Sequence, residues 1–473
     1  MGLEEVTIGA APVDRLEALI GPDRAARFES AAAEVLELLD GRAVFNVNST
    51  AKGGGVAELL QTLLANVNAF GIDARWLVIE GDVDFFILTK RIHNHLYGSP
   101  GDRGPLGGAE REHYSAVTDR NAGGVLERVR PGDVVLLHDP QTAGLARPLM
   151  AAGVPVVWRC HVGLDHEDEW SERGWSFLRP YLEDVPHFVF SCEQFAPSWV
   201  PRDRLSVIPP SIDPFSAKNA DMSPHDVRLT LERVGLLTGG DGEDPTPFPR
   251  RDGSFGRLTR SADLLGTGPP PPPEVPVVLQ VSRWDWLKDM SGVMTAFAEQ
   301  ASSMGDAHLV LAGPSTDGVA DDPEATDVLA ECLESWRSLP AATRERIHLA
   351  SISMADPDEA ASTVNALQRH TTVVTQKSLA EGFGLTVTEA MWKSKPVVAS
   401  AVGGIVDQIA PGETGALVAD ARDLGSFARC VTELLADPAE ADRMGGNART
   451  RAHRDFLGDR HLEQWAEVLT GLA

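Results

Sequence analysis

The chain has 473 residues, which is too long for one ordinary hydrophobic core and predicts two domains of roughly 200 residues each. Its formal net charge of −27 argues against non-specific binding to nucleic acid or to an anionic membrane, because both require a basic surface. The four cysteines include no CxxC pair, so neither a disulfide framework nor a zinc site is expected. No secretory signal and no apolar run of the ~20 residues that span a membrane is visible, so a cytoplasmic protein is expected.

The first part of the chain predicts a helical cap and then a strand, a glycine-rich loop and a helix. Residues 1–40 have helical composition, and a strand follows at Ala43–Val47. The loop then contains Gly53, Gly54 and Gly55. The next apolar residues recur with helical spacing: Val56, Leu59, Leu60, Leu63, Leu64 and Val67. This layout can present backbone N–H groups to an anion, although a tight βα turn explains it equally well.

Several polar residues follow predicted strands of this first part. Short apolar runs predict strands at 75–79, 133–137, 156–158 and 188–191. In open α/β sheets, ligands bind beyond the carboxyl ends of the strands. His161 is therefore a candidate site residue rather than a structural histidine, and Asn48, Glu80 and Asp139 are candidates for an acceptor pocket.

A proline-rich connection leads to a second run of strands and helices. Three prolines within 208–214 predict a stiff interdomain connector. Residues 237–274 are rich in proline, glycine and charge, which predicts a flexible surface insertion. Strands are then predicted at 277–281, 308–312, 346–350, 371–375, 396–400 and 416–418, with helices between them and a helical tail. The fold class is therefore α/β, with two doubly wound Rossmann-like domains and a cleft between them.

Two groups of residues in the second domain predict an anion site next to a sugar site. Arg283 and Lys288 flank a turn between a strand end and a helix start, where they could neutralise an anion. Glu381 and Glu389 form an E-x7-E pattern around a helix start predicted at Leu385. The amides of residues 382–385 could hold a phosphate. The two carboxylates suit sugar and ribose hydroxyls, because a carboxylate accepts charge-assisted hydrogen bonds.

Taken together, these features resemble the retaining GT-B glycosyltransferases of family 4, and within them the group of trehalose glycosyltransferring synthases. The resemblance covers about residues 44–410. It rests on the segments FNVNSTAKGGGVAELL, ARWLVIEGDVDFF, TKRIHN, HDPQ, WRCH, IPPSIDP, QVSRWDWLKD and QKSLAEGFGLTVTEAMWKSKPVV. Two positions depart from the pattern: Ala380 stands where a basic residue often precedes the first glutamate, and Ser394 stands where glycine is common.

The resemblance implies a role for each matching position. Arg283 and Lys288 would hold the donor diphosphate, Glu381 would bind hydroxyls of the transferred glucose, and His161 would line the glucose pocket. Glu389 would bind the ribose of the donor. The remaining implied donor-binding residues are Gly53, Gly54, Gly55, Gly382, Phe383, Gly384, Leu385 and Thr386.

The resemblance also implies the domain roles and the partners. Residues 1–211 would form the acceptor-side domain and 212–455 the donor-side domain, with 456–473 a helix crossing back to the first. The expected substrates are a nucleoside-diphosphate glucose and a sugar acceptor. No cofactor is required, Mg²⁺ has no dedicated protein site in the sequence, and a homodimer is expected.

The implied activity is the reversible transfer of glucose, with retention, to glucose, which gives α,α-trehalose. The alternatives are a retaining trehalose phosphorylase and a GT-B glucosyltransferase with another acceptor. A different class, a non-catalytic sugar-nucleotide-binding protein, is disfavoured because Arg283, Lys288, Glu381 and Glu389 are all present. A Rossmann oxidoreductase would need a GxGxxG loop, which the chain lacks.

Overall fold

The computed structural model describes residues 3–11, 13–51, 55–240, 243–266, 268–316 and 323–472. The chain divides into two compact units. The first is formed by Met1–Ser211 with Phe456–Ala473, and the second by Ile212–Asp455. Each unit has its own hydrophobic core.

The first unit is built on a seven-stranded sheet in the order β1-β3-β2-β4-β5-β6-β7. The strands are β1 (Glu4–Val6), β2 (Val44–Asn48), β3 (Ala74–Val78), β4 (Val134–His138), β5 (Val156–Cys160), β6 (His187–Phe190) and β7 (Leu205–Val207). Only the edge strand β1 is antiparallel to its neighbour. Every residue of β2, β4 and β5 is buried, as expected for a parallel sheet covered on both faces.

In the described residues before the second unit, eight α-helices accompany this sheet. They are α1 (Asp14–Ile20), α2 (Pro22–Leu39), α3 (Gly55–Ala69), α4 (Val83–Leu96), α5 (Gly108–Leu126), α6 (Asp139–Thr142), α7 (Ala146–Ala151) and α8 (Glu169–Leu182). The prediction that residues 1–40 are all helical is wrong at Glu4–Val6, which pairs with β3. A three-residue edge strand with two glutamates has no apolar periodicity to reveal it.

The second unit is built on another seven-stranded sheet, in the order β10-β13-β12-β11-β14-β15-β16. Its strands are β10 (Asp263–Leu264), β11 (Val277–Val281), β12 (His308–Pro314), β13 (Ile347–Ile352), β14 (Val373–Gln376), β15 (Val397–Ser400) and β16 (Gly415–Val418), and β8 (Phe248–Pro249) pairs with β9 (Phe255–Gly256) in a separate hairpin. Its helices are α9 (Pro224–Arg233), α10 (Met290–Glu299), α11 (Pro323–Ser338), α12 (Ala341–Arg344), α13 (Pro357–His370), α14 (Leu385–Trp392), α15 (Ile405–Gln408), α16 (Leu424–Ala436) and α17 (Pro438–Asp455).

Strand order locates the position in each sheet where a ligand would bind. In the second sheet the chain moves outward from β11 to β12 and β13, and then returns to place β14 on the other side of β11. In the first sheet the same reversal separates β2 from β4. Ligands of doubly wound folds bind beyond the carboxyl ends of the strands at this reversal. The fold therefore predicts ligand-binding positions after β11 and β14 in the second sheet, and after β2 and β4 in the first.

The insertion at residues 237–274 contains more structure than its composition predicts. It contributes the hairpin of β8 and β9 and the edge strand β10. Arg250 pairs with Asp356 at 2.6 Å, and Arg251 pairs with Asp358 at 2.8 Å. Because both aspartates lie at the start of α13, these ion pairs attach the insertion to that helix. Contacts between side chains about a hundred residues apart leave no local signal in the sequence.

The last helix, α18 (Gly458–Gly471), belongs to the first unit. It packs on α2 and α3, and Asp459 on α18 pairs with Arg24 on α2 at 2.7 Å. Within the described residues, no helix combines the length and the hydrophobicity needed to cross a membrane.

Ser394 follows the C-terminus of α14 with φ +59°, a left-handed conformation that favours glycine. This explains why glycine is common at the position. We expect Ser394→Gly to raise the free energy of unfolding by about 1 kcal/mol, since it removes the left-handed penalty. Denaturant unfolding would measure the change. Ser335→Gly within α11 is the control and should lower stability by roughly 0.5–1 kcal/mol. A loss of stability in Ser394→Gly would contradict the prediction.

Candidate active site

Hydrogen bonds fix the conformation of the turn after β11, which contains Arg283 and Lys288. Asp285 accepts hydrogen bonds from the backbone N–H of Leu287 at 2.9 Å and from Arg283 Nη2 at 3.0 Å. The side chain of Gln280, in β11, donates to the carbonyl oxygen of Lys288 at 2.6 Å. The side chain of Arg283 is 49% exposed, whereas that of Lys288 is only 14% exposed. The turn therefore presents one accessible and one partly enclosed cation at the reversal of the second sheet.

Lys288 and Glu381, which the sequence predicts for the same site, form an ion pair. Lys288 Nζ donates to Glu381 Oε2 at 2.6 Å. Ser378 Oγ and Gln376 Nε2 donate to the same oxygen at 3.0 and 3.3 Å. Among the described residues, none donates a hydrogen bond to Glu381 Oε1. The carboxylate is thus fixed through one oxygen, and the other can accept hydrogen bonds from a ligand.

The glycine turn between Glu381 and α14 needs residues without a side chain. Gly384 is the N-cap of α14 with φ +82°. Gly403 approaches from the following loop so closely that a Cβ there would lie 1.8 Å from the carbonyl oxygen of Glu381. The predicted residues Gly382, Phe383, Gly384, Leu385 and Thr386 all lie in this turn or in the first turn of α14. The N-terminus of an α-helix favours an anion through its free N–H groups and its dipole.

Glu389 lies in the second turn of α14 and is almost completely buried, with 3% of its surface exposed. Its Oε1 lies 3.5 Å from Lys218 Nζ. Its Oε2 is buried and has no hydrogen-bond partner among the described residues. A buried carboxylate oxygen that lacks a donor is costly, so this atom is a candidate to accept a hydrogen bond from a ligand.

In the first unit, Asp139 and His161 form a hydrogen-bonded pair at the carboxyl ends of β4 and β5. Asp139 Oδ1 accepts from the backbone N–H of His161 at 2.8 Å, and His161 Nδ1 lies 3.2 Å from both carboxylate oxygens. Burial alone would raise the pKa of Asp139, but the charge and hydrogen bonds of His161 lower it to about 2. Burial lowers the pKa of His161, against the opposing charge of Asp139. The pair is therefore a carboxylate and a neutral imidazole that donates from Nδ1.

This arrangement leaves the second ring nitrogen of His161 as an acceptor. His161 Nε2 is buried and has no hydrogen-bond partner among the residues described. Asp139 is held in the left-handed region with φ +65°, which is uncommon for a residue other than glycine. Backbone strain of this kind often accompanies functional sites. The imidazole is thus oriented by Asp139 and offers Nε2 to a hydroxyl donor.

The remaining predicted residues of the first unit, unlike Asp139 and His161, show no side-chain atom held ready for a ligand in the described residues. Both polar atoms of the Asn48 side chain are occupied: Oδ1 accepts from Trp76 Nε1 at 2.7 Å, and Nδ2 donates to the carbonyl oxygen of Thr50 at 2.8 Å. Glu80 is exposed, and its backbone pairs with the side chain of Asn121. Gly55 is exposed at the start of α3, and Gly53 and Gly54 lie outside the described residues. Their roles stay predictions.

Sequence reasoning missed several side chains around these predicted residues. Gln376 and Ser378 bind Glu381, and Lys218 lies beside Glu389. Lys377, which is 1% exposed, pairs with Asp289 at the N-cap of α10. The one available signal was position: Gln376 is the last residue of β14, and Lys377 follows it directly.

The sequence also did not reveal Arg159, a buried arginine on β5 two residues before His161. Arg159, at 0% exposure, donates to the carbonyl oxygen of Ile208 at 3.1 Å and lies 3.1 Å from His461 Nε2 on α18. Burial lowers the pKa of Arg159 to about 9, so the guanidinium stays charged at neutral pH. Only the return of α18 to the first unit brings His461 next to Arg159, a pairing that the sequence could not show.

The described part of the chain contains no group of three or more His, Cys, Asp or Glu side chains that could hold a metal ion. The expectation that no cofactor is required stays a prediction.

Two protein families match the chain. Residues 46–197 match the family described as "Trehalose synthase, N-terminal domain", and residues 268–451 match "Glycosyl transferases group 1". A trehalose synthase from Pyrococcus horikoshii is 32% identical over 99% of this chain and 99% of its own length. A trehalose phosphorylase from Pleurotus pulmonarius is 26% identical over 85% of this chain, but only 53% of that protein is covered.

Solved structures agree on the fold. A UDP-forming α,α-trehalose-phosphate synthase from Burkholderia xenovorans has a TM-score of 0.66 and 14% identity, over 91% of this chain and 99% of that chain. The Anabaena protein HepE in complex with UDP-glucose has a TM-score of 0.59 and 14% identity, over the same shares of the two chains.

The two Rossmann-like sheets and the group 1 match define a glycosyltransferase of the GT-B fold, which confirms the predicted α/β class with two doubly wound domains. Within that class, the chain belongs to the trehalose synthase family, so the resemblance predicted from the sequence is also confirmed.

Proposed function

We propose that the protein is a retaining glucosyltransferase that moves glucose from a nucleoside-diphosphate glucose to glucose, giving α,α-trehalose in a reversible reaction. The observation that carries the proposal is the meeting of Lys288, Glu381 and the N-terminus of α14 at the reversal of the second sheet. In this proposal the cation and the helix amides would bind a diphosphate, and the neighbouring carboxylate would bind sugar hydroxyls. The trehalose synthase relative covers nearly the whole chain, and this supports the choice of product.

Negative charge grows on the departing diphosphate as the bond between sugar C1 and the phosphate oxygen breaks. Lys288 and Arg283, with the N–H groups at the start of α14, would stabilise that charge, which is usually the largest catalytic contribution in a site of this kind. The acceptor hydroxyl forms the new bond to C1 on the same face, and its proton passes to an oxygen of the leaving diphosphate. No covalent nucleophile and no resident metal is part of this proposal.

Each unit, taken by itself, has an acceptor atom that could bind a sugar hydroxyl. Glu381, fixed by Lys288, Ser378 and Gln376, accepts a hydroxyl of the transferred glucose at Oε1. His161, held by Asp139, accepts a sugar hydroxyl at Nε2. Such contacts hold the reacting atoms in a productive geometry, which lowers the barrier by reducing the entropy lost on reaching the transition state.

A trehalose phosphorylase would share these residues, since phosphate and a diphosphate need similar cations. The phosphorylase relative is more distant, and this chain spans about half of its length. The test is to incubate purified protein with ADP-, UDP- or GDP-glucose, with and without glucose, and to measure nucleotide release. The proposal predicts release that depends on glucose. If no donor releases nucleotide, while phosphate and trehalose yield glucose 1-phosphate, the protein is a phosphorylase.

The pH dependence of the rate would report the state of His161. Protonation at Nε2 would remove its acceptor, and burial lowers the pKa of His161, so kcat/KM for glucose should stay level until the pH falls below the ordinary histidine value. In Asp139→Asn the carboxylate that favours the protonated ring is gone, so the acid limb should move to still lower pH. A pH profile of both proteins checks this, and a limb that moves to higher pH would be inconsistent with it.

A further inference from the structure

The segment of residues 217–221 (the 217–221 segment) is hydrogen-bonded to α13 at several points. Asn365 Nδ2 donates to the carbonyl oxygens of Ala217 and Ala220 at 3.1 and 2.8 Å. Arg369 Nη2 donates to the carbonyl oxygens of Asn219 and Ala220 at 3.1 and 3.0 Å. Four backbone acceptor contacts over so few residues fix the conformation of the segment, although it has no regular secondary structure.

The same segment is bound to the end of α14. Trp392 Nε1 donates to the carbonyl oxygen of Asn219 at 3.2 Å, and Lys393 Nζ donates to Asn219 Oδ1 at 2.9 Å. Asn219 is 3% exposed, so these contacts are shielded from water. Because α14 also carries Glu389, the position of the 217–221 segment relative to that glutamate is fixed by direct contacts.

From the 217–221 segment, the side chain of Lys218 extends to the carboxylate of Glu389. Its Nζ lies 3.5 Å from Glu389 Oε1, and the two side chains are 24% and 4% exposed. Lys393 contacts Glu389 differently, because its Nζ donates to the backbone carbonyl oxygen of that residue at 3.1 Å. Burial lowers the pKa of Lys393 to about 7, although Glu389 opposes the shift. Both lysines act on the charge of Glu389, and Lys218 is the one whose ammonium group faces a carboxylate oxygen directly.

The contact leaves the two oxygens of Glu389 unequal. Oε1 faces the ammonium group of Lys218, whereas Oε2 is buried and has no donor among the described residues. Burying a carboxylate is costly unless charge or hydrogen bonds compensate its lost hydration. Lys218 supplies the charge, and Oε2 remains open to a hydroxyl donor.

We propose that Lys218 is a positioning residue of the nucleoside site: by pairing with Oε1 it holds the carboxylate of Glu389 turned so that Oε2 accepts a ribose hydroxyl of the donor. This inference rests on the proposed function, which supplies the nucleoside diphosphate. Lys218 acts through Glu389 and does not itself contact the reacting atoms. The consequence is that its effect on affinity depends on the ribose hydroxyls.

The test compares Lys218→Met with the unsubstituted protein in calorimetric titrations. The probes are the best-bound of ADP, UDP and GDP and its 2′,3′-dideoxy counterpart. The substitution should weaken binding of the natural diphosphate about tenfold, the effect of losing one hydrogen bond to a charged group. It should leave binding of the dideoxy diphosphate within about twofold, because that ligand offers Glu389 no hydroxyl. Lys218→Arg should recover most of the lost affinity.

The outcomes separate this inference from the proposed function. Equal weakening of both ligands would show a general structural or electrostatic effect and would overturn the inference alone. Unchanged binding of both ligands would also overturn the inference and would leave the proposed function intact. If none of the diphosphates binds to the unsubstituted protein, the proposed function fails and the inference fails with it. Thermal unfolding of Lys218→Met should show a folded protein, and Lys218→Arg provides a second variant if it does not.

Discussion

Replacing Lys288 with methionine should lower kcat by roughly 10²–10³-fold, as is usual when a preorganised charge at the leaving group is removed. Methionine keeps much of the length of the side chain and removes the ammonium group. Glu381 would keep its hydrogen bonds from Ser378 and Gln376, so the carboxylate should remain near its place. Steady-state rates of nucleotide release from the donor, at saturating glucose, would measure the loss.

A matched control separates this effect from the simple loss of an ion pair. Arg443→Met removes an exposed ion pair with Glu440 on α17, at 2.6 Å, and should leave kcat within about twofold, because exposed pairs contribute little. Circular dichroism should show both variants folded. Full activity of Lys288→Met would remove Lys288 from the catalytic machinery and would contradict the site as a whole.

Asp139→Asn should lower kcat/KM for glucose by roughly 10–100-fold, the range expected for disturbing a hydrogen bond with a charged partner. Asparagine tolerates the left-handed backbone at φ +65°, so the substitution changes charge and hydrogen bonding more than conformation. The amide group can turn its NH₂ toward His161 and no longer favours the tautomer with the proton on Nδ1. Rates at varied glucose concentration would measure the change.

Asp40→Asn is the control for the backbone effect. Asp40 also has a left-handed backbone, with φ +47°, but it is exposed at the end of α2. The Asp40→Asn substitution should therefore leave kcat/KM for glucose unchanged. If Asp139→Asn were as active as this control, Asp139 would have no role in orienting His161 for the reaction.

The central strands of both sheets could be predicted because they are short, mostly apolar runs. Val277–Val281 is an example: the sequence predicts these bounds, and the structure has the same ones. The edge strands β1, β7 and β10 were not predicted. The first is a glutamate-rich triplet, the second is the three-residue run Leu205–Val207, and the third has two residues within a proline-rich insertion. Pairing at a sheet edge depends on tertiary contact more than on local pattern.

The sequence predicts those site residues that belong to a local pattern, such as a helix start or a strand end. Glu381 and Lys288 were found from a helix start and a strand end, and the structure brings them within 2.6 Å of each other. Lys218 is 171 positions from Glu389 in sequence, by subtraction of their residue numbers, and lies in a segment without periodicity. His461 reaches Arg159 only because α18 returns to the first unit. Such contacts depend on the path of the chain, which local pattern does not encode.

The most direct test of the proposed reaction uses a donor labelled with ¹³C at C1 of its glucose, together with unlabelled glucose as the acceptor. NMR of the product should show α,α-trehalose with the label in one of its two rings, released together with the nucleoside diphosphate. This result would establish the donor, the acceptor and the retained configuration in one experiment. An α,β-linked product, or labelled free glucose as the main product, would contradict the proposed function.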